Sequence, residues 1–324
     1  MMFVLRFDMR NPAMAGVNMG DRYAAAIDMA EWADRLGALQ VVISEHHGSE
    51  DGYLPSPLPI VAAMAARTKN IRFNIAAIVA PFHDPIRLAE DIAVVDNITK
   101  GRLDVIITGG YVHEEFDMFG VSMKERPSRV TETVTTLKQA FTGEPFEFRG
   151  RTVKITPAPY QPGGPPISMG GSSEPAARRA ARLGDGFMPS DPKIWEFYVD
   201  EMQKLGKPDP GPWLGGDTSV IALAEDADKG WDQLAPFFLH EMNAYGAWQA
   251  QDDVATNYQS VADTDALRET GQYRVLTPDQ YIEEMKAAPF PFGMFHPLCG
   301  GTPPELGWET LRLFEEKVLP AFPS

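Results

Sequence analysis

The sequence predicts an α/β fold, a (β/α)8 TIM barrel with insertions at its rim, in which residues 1–324 form one domain. Three observations carry that expectation. Short runs rich in β-branched residues recur along the chain, followed repeatedly by segments whose apolar residues repeat every 3.6 positions, the alternation that builds a parallel sheet. The runs number eight. At 324 residues and 44% hydrophobic composition, the chain has the length and apolar surface for one barrel core.

The predicted strands, in order, are Phe3–Phe7, Leu39–Ile43, Ile71–Val79, Leu103–Ile107, Ile167–Met169, Gly186–Met188, Val220–Leu223 and Phe292–Phe295. Pro289 and Pro291 remove ladder donors just ahead of the last one, so it should be short. Helix starts are legible between the strands. Asp84 before Pro85 places an oxygen acceptor at an N-cap and a preset φ at the next position, ahead of the stripe Leu88, Ile92, Val95. Ser128 opens Val130, Val134, Leu137 and Phe141 in the same way. Thr277, Pro278 and Gln280 read as a capping box, as do Thr302, Pro303 and Glu305.

Two stretches exceed a minimal barrel, residues 146–166 and 246–274. Phe146 to Ile155 alternates like a hairpin about Gly150, and a Pro/Gly-rich run from Pro157 to Pro166 leads into the fifth strand. Residues 246–274 are polar and hold no sustained period; a binding lid and a purely structural insertion both fit such a segment.

Charge and composition exclude whole classes of partner. Forty-five acidic residues against 29 basic ones give a formal charge of -16, which repels nucleic acid and anionic membranes. No run approaches the roughly 20 apolar residues of a membrane span, and the longest, around Ile75 to Phe82, is broken by Pro81. Arg6 and Asp8 interrupt the first apolar run too early for a secretory leader, so Met1 is expected to begin the mature protein. Cys299, the single cysteine, can form no internal disulfide, and a reducing, cytoplasmic location fits.

Barrel enzymes carry their chemistry on the loops after strands. After the second strand come Ser44, Glu45, His46 and His47, two imidazoles and a carboxylate suited to proton transfer near neutrality. A metal site competes with that reading, but adjacent residues of an extended chain point to opposite faces, and no further His or Asp cluster is seen to complete a ligand set. A histidine hydrogen-bonded at the rim is the plainer alternative. After the fifth strand, Gly170, Gly171, Ser172 and Ser173 lead into an Ala-rich helix, an arrangement that suits a phosphate and equally an ordinary strand–helix connection. Thr108, Gly109, Gly110 and Tyr111 follow the fourth strand, leaving room beside a tyrosine that can stack or hydrogen-bond.

The segment Ala76, Ala77, Ile78, Val79, Ala80, Pro81, continuing through Asp84, Pro85, Ala89, Glu90, Asp91 to Lys100, Gly101, Arg102, resembles the matching stretch of the bacterial luciferase alpha subunit, and so does Glu45-His46-His47. The resemblance to the luciferase-like monooxygenase family runs from Phe3 to about Ser190 and is carried beyond that by general shape, by Phe295, His296 and Pro297, and by the helix to Pro320. It implies general acid/base work for His46 beside a flavin, a non-prolyl cis peptide between Ala76 and Ala77 whose bulge meets the flavin ring, and phosphate contacts from Ser172 and Ser173. Two positions depart from it: Gly109 stands where the luciferase subunit has a phosphate-binding arginine, and Thr108 where it has a cysteine. Loss of a charge-assisted contact costs about 1.5 to 3 kcal/mol, so either FMN binds weakly or another cation substitutes, Arg178 and Arg179 being the candidates.

The expected activity is that of a two-component monooxygenase, in which reduced FMN from a separate flavin reductase and dioxygen oxygenate a small organic substrate. His46 is the expected proton donor. Glu45, Ala76, Ala77, Thr108, Gly110, Tyr111, Gly170, Gly171, Ser172 and Ser173 are the expected cofactor contacts, with Glu45 either orienting His46 or meeting the ring edge. No G-x-G-x-x-G fingerprint follows a strand, so no separate dinucleotide domain is expected. The first alternative is hydride transfer with the deazaflavin coenzyme F-420; that branch of the superfamily usually has an aromatic residue where this chain has His47, which tilts the choice to FMN. A non-catalytic flavin-binding subunit is the second alternative, and a metal-dependent hydrolase the third. Family habit predicts a homodimer. The substrate pocket is expected to draw on Gly48 to Leu54, on residues after Pro189 and on 246–274.

Overall fold

A computed structural model describes residues 1–213, 215, 219–251 and 258–322. The sheet at its centre has nine strands, all in parallel ladders. In chain order these are β1 (Met2–Phe7), β2 (Gln40–Ile43), β3 (Arg72–Val79), β4 (Leu103–Thr108), then, after a separate hairpin of β5 (Phe146–Phe148) and β6 (Arg151–Val153), β7 (Ile167–Gly171), β8 (Gly186–Pro189), β9 (Val220–Leu223), β10 (Tyr273–Leu276) and β11 (Phe292–Phe295). The spatial order is β10-β9-β11-β1-β2-β3-β4-β7-β8, so the last strand closes on the first, with Leu5 opposite Phe295. Among the described residues no ladder joins β8 to β9 or β10, and the wall is open at that edge. The fold is of the TIM-barrel class, with helices between successive parallel strands.

Alternation along the strands divides the wall into two faces. Phe3, Leu5 and Phe7 of β1, Val41 and Ile43 of β2, Phe73 and Ile75 of β3, and Val105 and Ile107 of β4 belong to the buried core. Their neighbours Arg6, Ala76, Ile106 and Thr108 line a cavity instead. The period of two thus delivers Arg6, Ala76 and Thr108, polar or small side chains, to one place together with Ile106.

The eight predicted strands all form. β10 was not among them: it is four residues long and follows directly on the segment read as an insertion, yet its alternation of buried Tyr273 and Val275 with half-buried Arg274 and Leu276 is that of a strand. β11 is short, as its flanking prolines require. The hairpin turns at Arg149 and Gly150, both with positive φ, which matches the strand twist of a tight connection.

Two helix starts differ from expectation. The helix expected at Ser128 begins at Arg126, and the Ser128 hydroxyl donates to the Glu125 carbonyl rather than capping. The Thr302 hydroxyl bonds the Cys299 carbonyl, so no capping box forms there and the helix starts at Pro304 with Pro303 as its N-cap. Asp84 caps Ile86 and Arg87, and the Thr277–Gln280 box is complete. In the 246–274 region, the Ala227–Gln249 helix runs in from one side and a short Thr264–Glu269 helix follows; residues 252–257 lie outside the described ones.

Candidate active site

At the C-terminal ends of the strands lies a cavity of about 440 Å³. Of the residues expected at the site, Glu45, His46, Ala76, Ala77, Thr108, Gly110, Tyr111, Gly170, Gly171 and Ser172 all line it. Ser173 does not; it is the N-cap of the Glu174–Leu183 helix, with no side-chain capping bond. The peptide between Ala76 and Ala77 is cis, and the β3–β4 register slips between Ala76 and Ile78, so a bulge faces the cavity there. Gly110 has φ +71°, and a Cβ on it would stand 2.7 Å from Val79 Cγ1, so the turn after β4 requires glycine twice over.

His46 is buried against aromatic rings, Trp248 at 4.5 Å and Tyr53 at 4.8 Å between centroids. Its Nδ1 lies 2.8 Å from Glu115 Oε1, which also accepts the His47 backbone N–H at 2.8 Å. A carboxylate at Nδ1 accepts a hydrogen bond from that nitrogen and so keeps the proton on it, leaving Nε2 toward the cavity, where the Tyr111 hydroxyl lies 3.4 Å away. Glu115 is therefore the group that orients the imidazole, a role the sequence pointed to Glu45 for. Nothing in the sequence distinguished Glu115 from its neighbour Glu114; only the helix His113–Phe119 packing over the β2 end brings it 69 positions back to His46.

Glu45 instead serves His47 and His83. Its Oε1 accepts from the Nε2 of each at 2.9 Å. Burial works to raise the Glu45 carboxyl, and the hydrogen bonds and charge of the two imidazoles outweigh it, holding the group below the ordinary carboxylate range. His83 is the mirror case: burial lowers it, and Glu45 more than compensates, so its pKa is raised. These three side chains bring potential ligand atoms together, correcting the expectation that no further histidine completes a set beside the strand end. As expected from strand alternation, His46 and His47 diverge, the latter packing edge-on against Phe82 and Phe119.

A cation does stand beside position 109. Arg126 lines the cavity, and a Cβ on Gly109 would lie 3.5 Å from Arg126 Cβ and 3.8 Å from its Cδ, so the arginine stem occupies the space over that glycine. Its Nη1 donates to the Gly110 carbonyl at 3.0 Å and its Nε to the Met123 carbonyl at 3.1 Å. Arg178 and Arg179 are not the substitutes. Neither lines the cavity, and Arg178 is engaged by Glu174, Asp200 and Glu201. Arg6, Tyr53, Tyr245, Gln249 and Tyr258 also belong to the lining, as do Met188, Pro189 and Ser190 at the end of β8; Tyr245, Gln249 and Tyr258 come from the Ala227–Gln249 helix and the 246–274 region.

Position, burial and chemistry are those of the face where barrel enzymes carry their sites. Comparison with known proteins narrows the class. The chain belongs to the luciferase-like monooxygenase family, whose model matches residues 1–289. That places it among oxidoreductases of the luciferase-like kind. It is 27% identical over 244 residues to the oxygenase component of the flavin-dependent trigonelline monooxygenase of Acinetobacter baylyi, covering 70% of this chain and 66% of the relative. It is 28% identical over 163 residues to the alkanal monooxygenase alpha chain of Photorhabdus luminescens, covering 49% and 45%. These matches span only about half to two thirds of the relatives' own lengths. Among solved structures, the monooxygenase RslO1 of Streptomyces bottropensis superposes with TM-score 0.72 at 26% identity over 100% of both chains. An F420-dependent secondary alcohol dehydrogenase shares the fold, with TM-score 0.69 at 16% identity over 99% of both chains. No described helix is long and apolar enough to cross a membrane.

Proposed function

We propose that the protein is the oxygenase of a two-component system, cytoplasmic and served by a separate flavin reductase, in which reduced FMN and dioxygen oxygenate a small organic substrate. The observation that carries this reading is the convergence on one cavity of the Ala76–Ala77 bulge, the His46 imidazole and a donor-rich end formed by Gly171, Ser172 and Arg126. The residues fit FMN: a bulged strand to support a planar ring, and a hydroxyl, small residues and a guanidinium for a phosphate. The similarity to an oxygenase component supports the two-component reading. When bound, reduced FMN supplies the electrons that let dioxygen react with an organic molecule. Thr108, Gly110 and Tyr111 frame the ring's place, His46 holds or passes a proton at Nε2 under the control of Glu115, and the rings of Tyr53 and Trp248 keep water from the imidazole.

Titration of the protein with FMN, riboflavin and coenzyme F-420, read by quenching of flavin fluorescence, tests the reading. FMN should bind more tightly than the other two, and Arg126→Ala should weaken FMN about ten-fold or more while changing riboflavin, which lacks the phosphate, by less than about three-fold. Tight binding of F-420 alone would favour hydride transfer instead.

A further inference from the structure

One end of the cavity is unlike the rest. Arg6, on the inner face of β1, has its side chain only 16% exposed. Its Nη2 donates to the Tyr245 hydroxyl at 3.2 Å and its Nη1 to the Tyr258 hydroxyl at 3.3 Å, with the Glu241 carboxylate 3.7 Å away. Glu241 is fully buried, does not line the cavity, and gives its other oxygen to Tyr273 and Cys299. Arg6, Tyr53, Tyr245 and Tyr258 do line it.

A proton count shows what this end presents. A guanidinium only donates, so the Tyr245 and Tyr258 oxygens are acceptors toward Arg6. Tyr53 and Tyr245 also share a hydrogen bond of 2.7 Å between their hydroxyls. That bond uses one of their two protons, and among the described residues no acceptor takes the other. Burial raises the pKa of Tyr53, Tyr245 and Tyr258, so these phenols keep their protons and remain donors. A buried guanidinium edge and a spare phenolic proton are complementary to an anionic oxygen, and a charge-assisted bond there is roughly twice as strong as a neutral one.

The geometry points to a carboxylate-binding floor: the organic substrate is the anion of a small carboxylic acid, its carboxylate on Arg6 and the Tyr53–Tyr245 pair, its hydrocarbon part toward His46. The inference rests on the oxygenase reading and adds the substrate class. A cavity of about 440 Å³ that must also admit a flavin ring keeps the acid small.

Calorimetric titration of the full chain, with and without saturating FMN, tests this with three acid–amide pairs: benzoate and benzamide, nicotinate and nicotinamide, hexanoate and hexanamide. At least one acid should bind about ten-fold more tightly than its amide, and Arg6→Gln should abolish that preference while Arg6→Lys keeps part of it. FMN affinity should stay within about three-fold in both variants. No preference for any acid, or a preference that survives Arg6→Gln, overturns the proposal. Should Arg6→Gln not fold, the acid–amide comparison on the unmodified chain and on Tyr245→Phe decides, an undiminished preference in Tyr245→Phe counting against the floor. Failure to bind FMN would sink the oxygenase reading alone, because the flavin-free titration still scores the floor.

Discussion

At the scale of single residues, the site depends on which carboxylate serves which imidazole. Glu115 fixes the His46 tautomer through a 2.8 Å bond, while Glu45, adjacent in sequence, is committed to His47 and His83. His46→Gln should slow the aerobic reoxidation of bound reduced FMN by about ten-fold or more, and Glu115→Gln should produce a smaller loss together with a shifted pH profile. Stopped-flow absorbance measures both, and FMN dissociation constants should stay within about three-fold. An unchanged rate in His46→Gln would remove its role; an unchanged pH profile in Glu115→Gln would leave that glutamate a structural anchor only. His46 and the Gly170–Ser172 turn were legible in the sequence because each lies in a contiguous motif at a strand end, and the cis-bonded alanines because their stretch of β3 resembles the luciferase subunit. Glu115 and Arg126 were not, since what qualifies them is contact across 69 and 17 positions respectively with His46 and Gly109.

At the scale of elements, the strand ends are tied together by ionic hydrogen bonds. Glu45 after β2 and His83 after β3 form one such tie. The depressed Glu45 carboxyl contributes stability that is present above its unfolded pKa of about 4.3 and lost as pH falls through the lower folded value. The raised His83 imidazole contributes stability that is complete below about 6.5 and lost as pH rises through its higher folded value. The tie is therefore worth most between about pH 4.3 and 6.5. The melting-temperature deficit of His83→Gln should be largest in that window and shrink on the alkaline side; a deficit that is flat with pH would show that the loss is one of packing. Strand and helix identities followed from period and caps, and the misplaced starts at Ser128 and Thr302 share a cause: a hydroxyl can bond a carbonyl of the preceding turn as readily as it caps the next helix.

At the scale of the whole molecule, a formal charge of -16 and a cationic, donor-lined cavity are opposed. Self-repulsion of the acidic surface costs stability that salt recovers. Raising sodium chloride from about 10 mM to about 0.3 M, which shortens the screening length from about 30 Å to under about 8 Å, should raise the melting temperature by a few degrees. Scanning fluorimetry checks this, and a fall would mean that the ionic ties outweigh the repulsion. The barrel class was legible from alternation, the number of strand-like runs and the length of the chain together. The added strand β10 was not, because its four alternating residues close a polar stretch that holds no sustained period.

Arg10 is fully buried, and its guanidinium carbon sits 4.7 Å from the Tyr53 ring centre, 4.9 Å from that of Tyr245 and 4.6 Å from that of Trp248. One immobile cation thus pins three aromatic panels drawn from two distant parts of the chain, so their spacing is set before any visitor arrives. Tyr53 and Tyr245, two of the three, line the cavity, so the cost of ordering that stretch of wall is met within the fold and not when a guest enters.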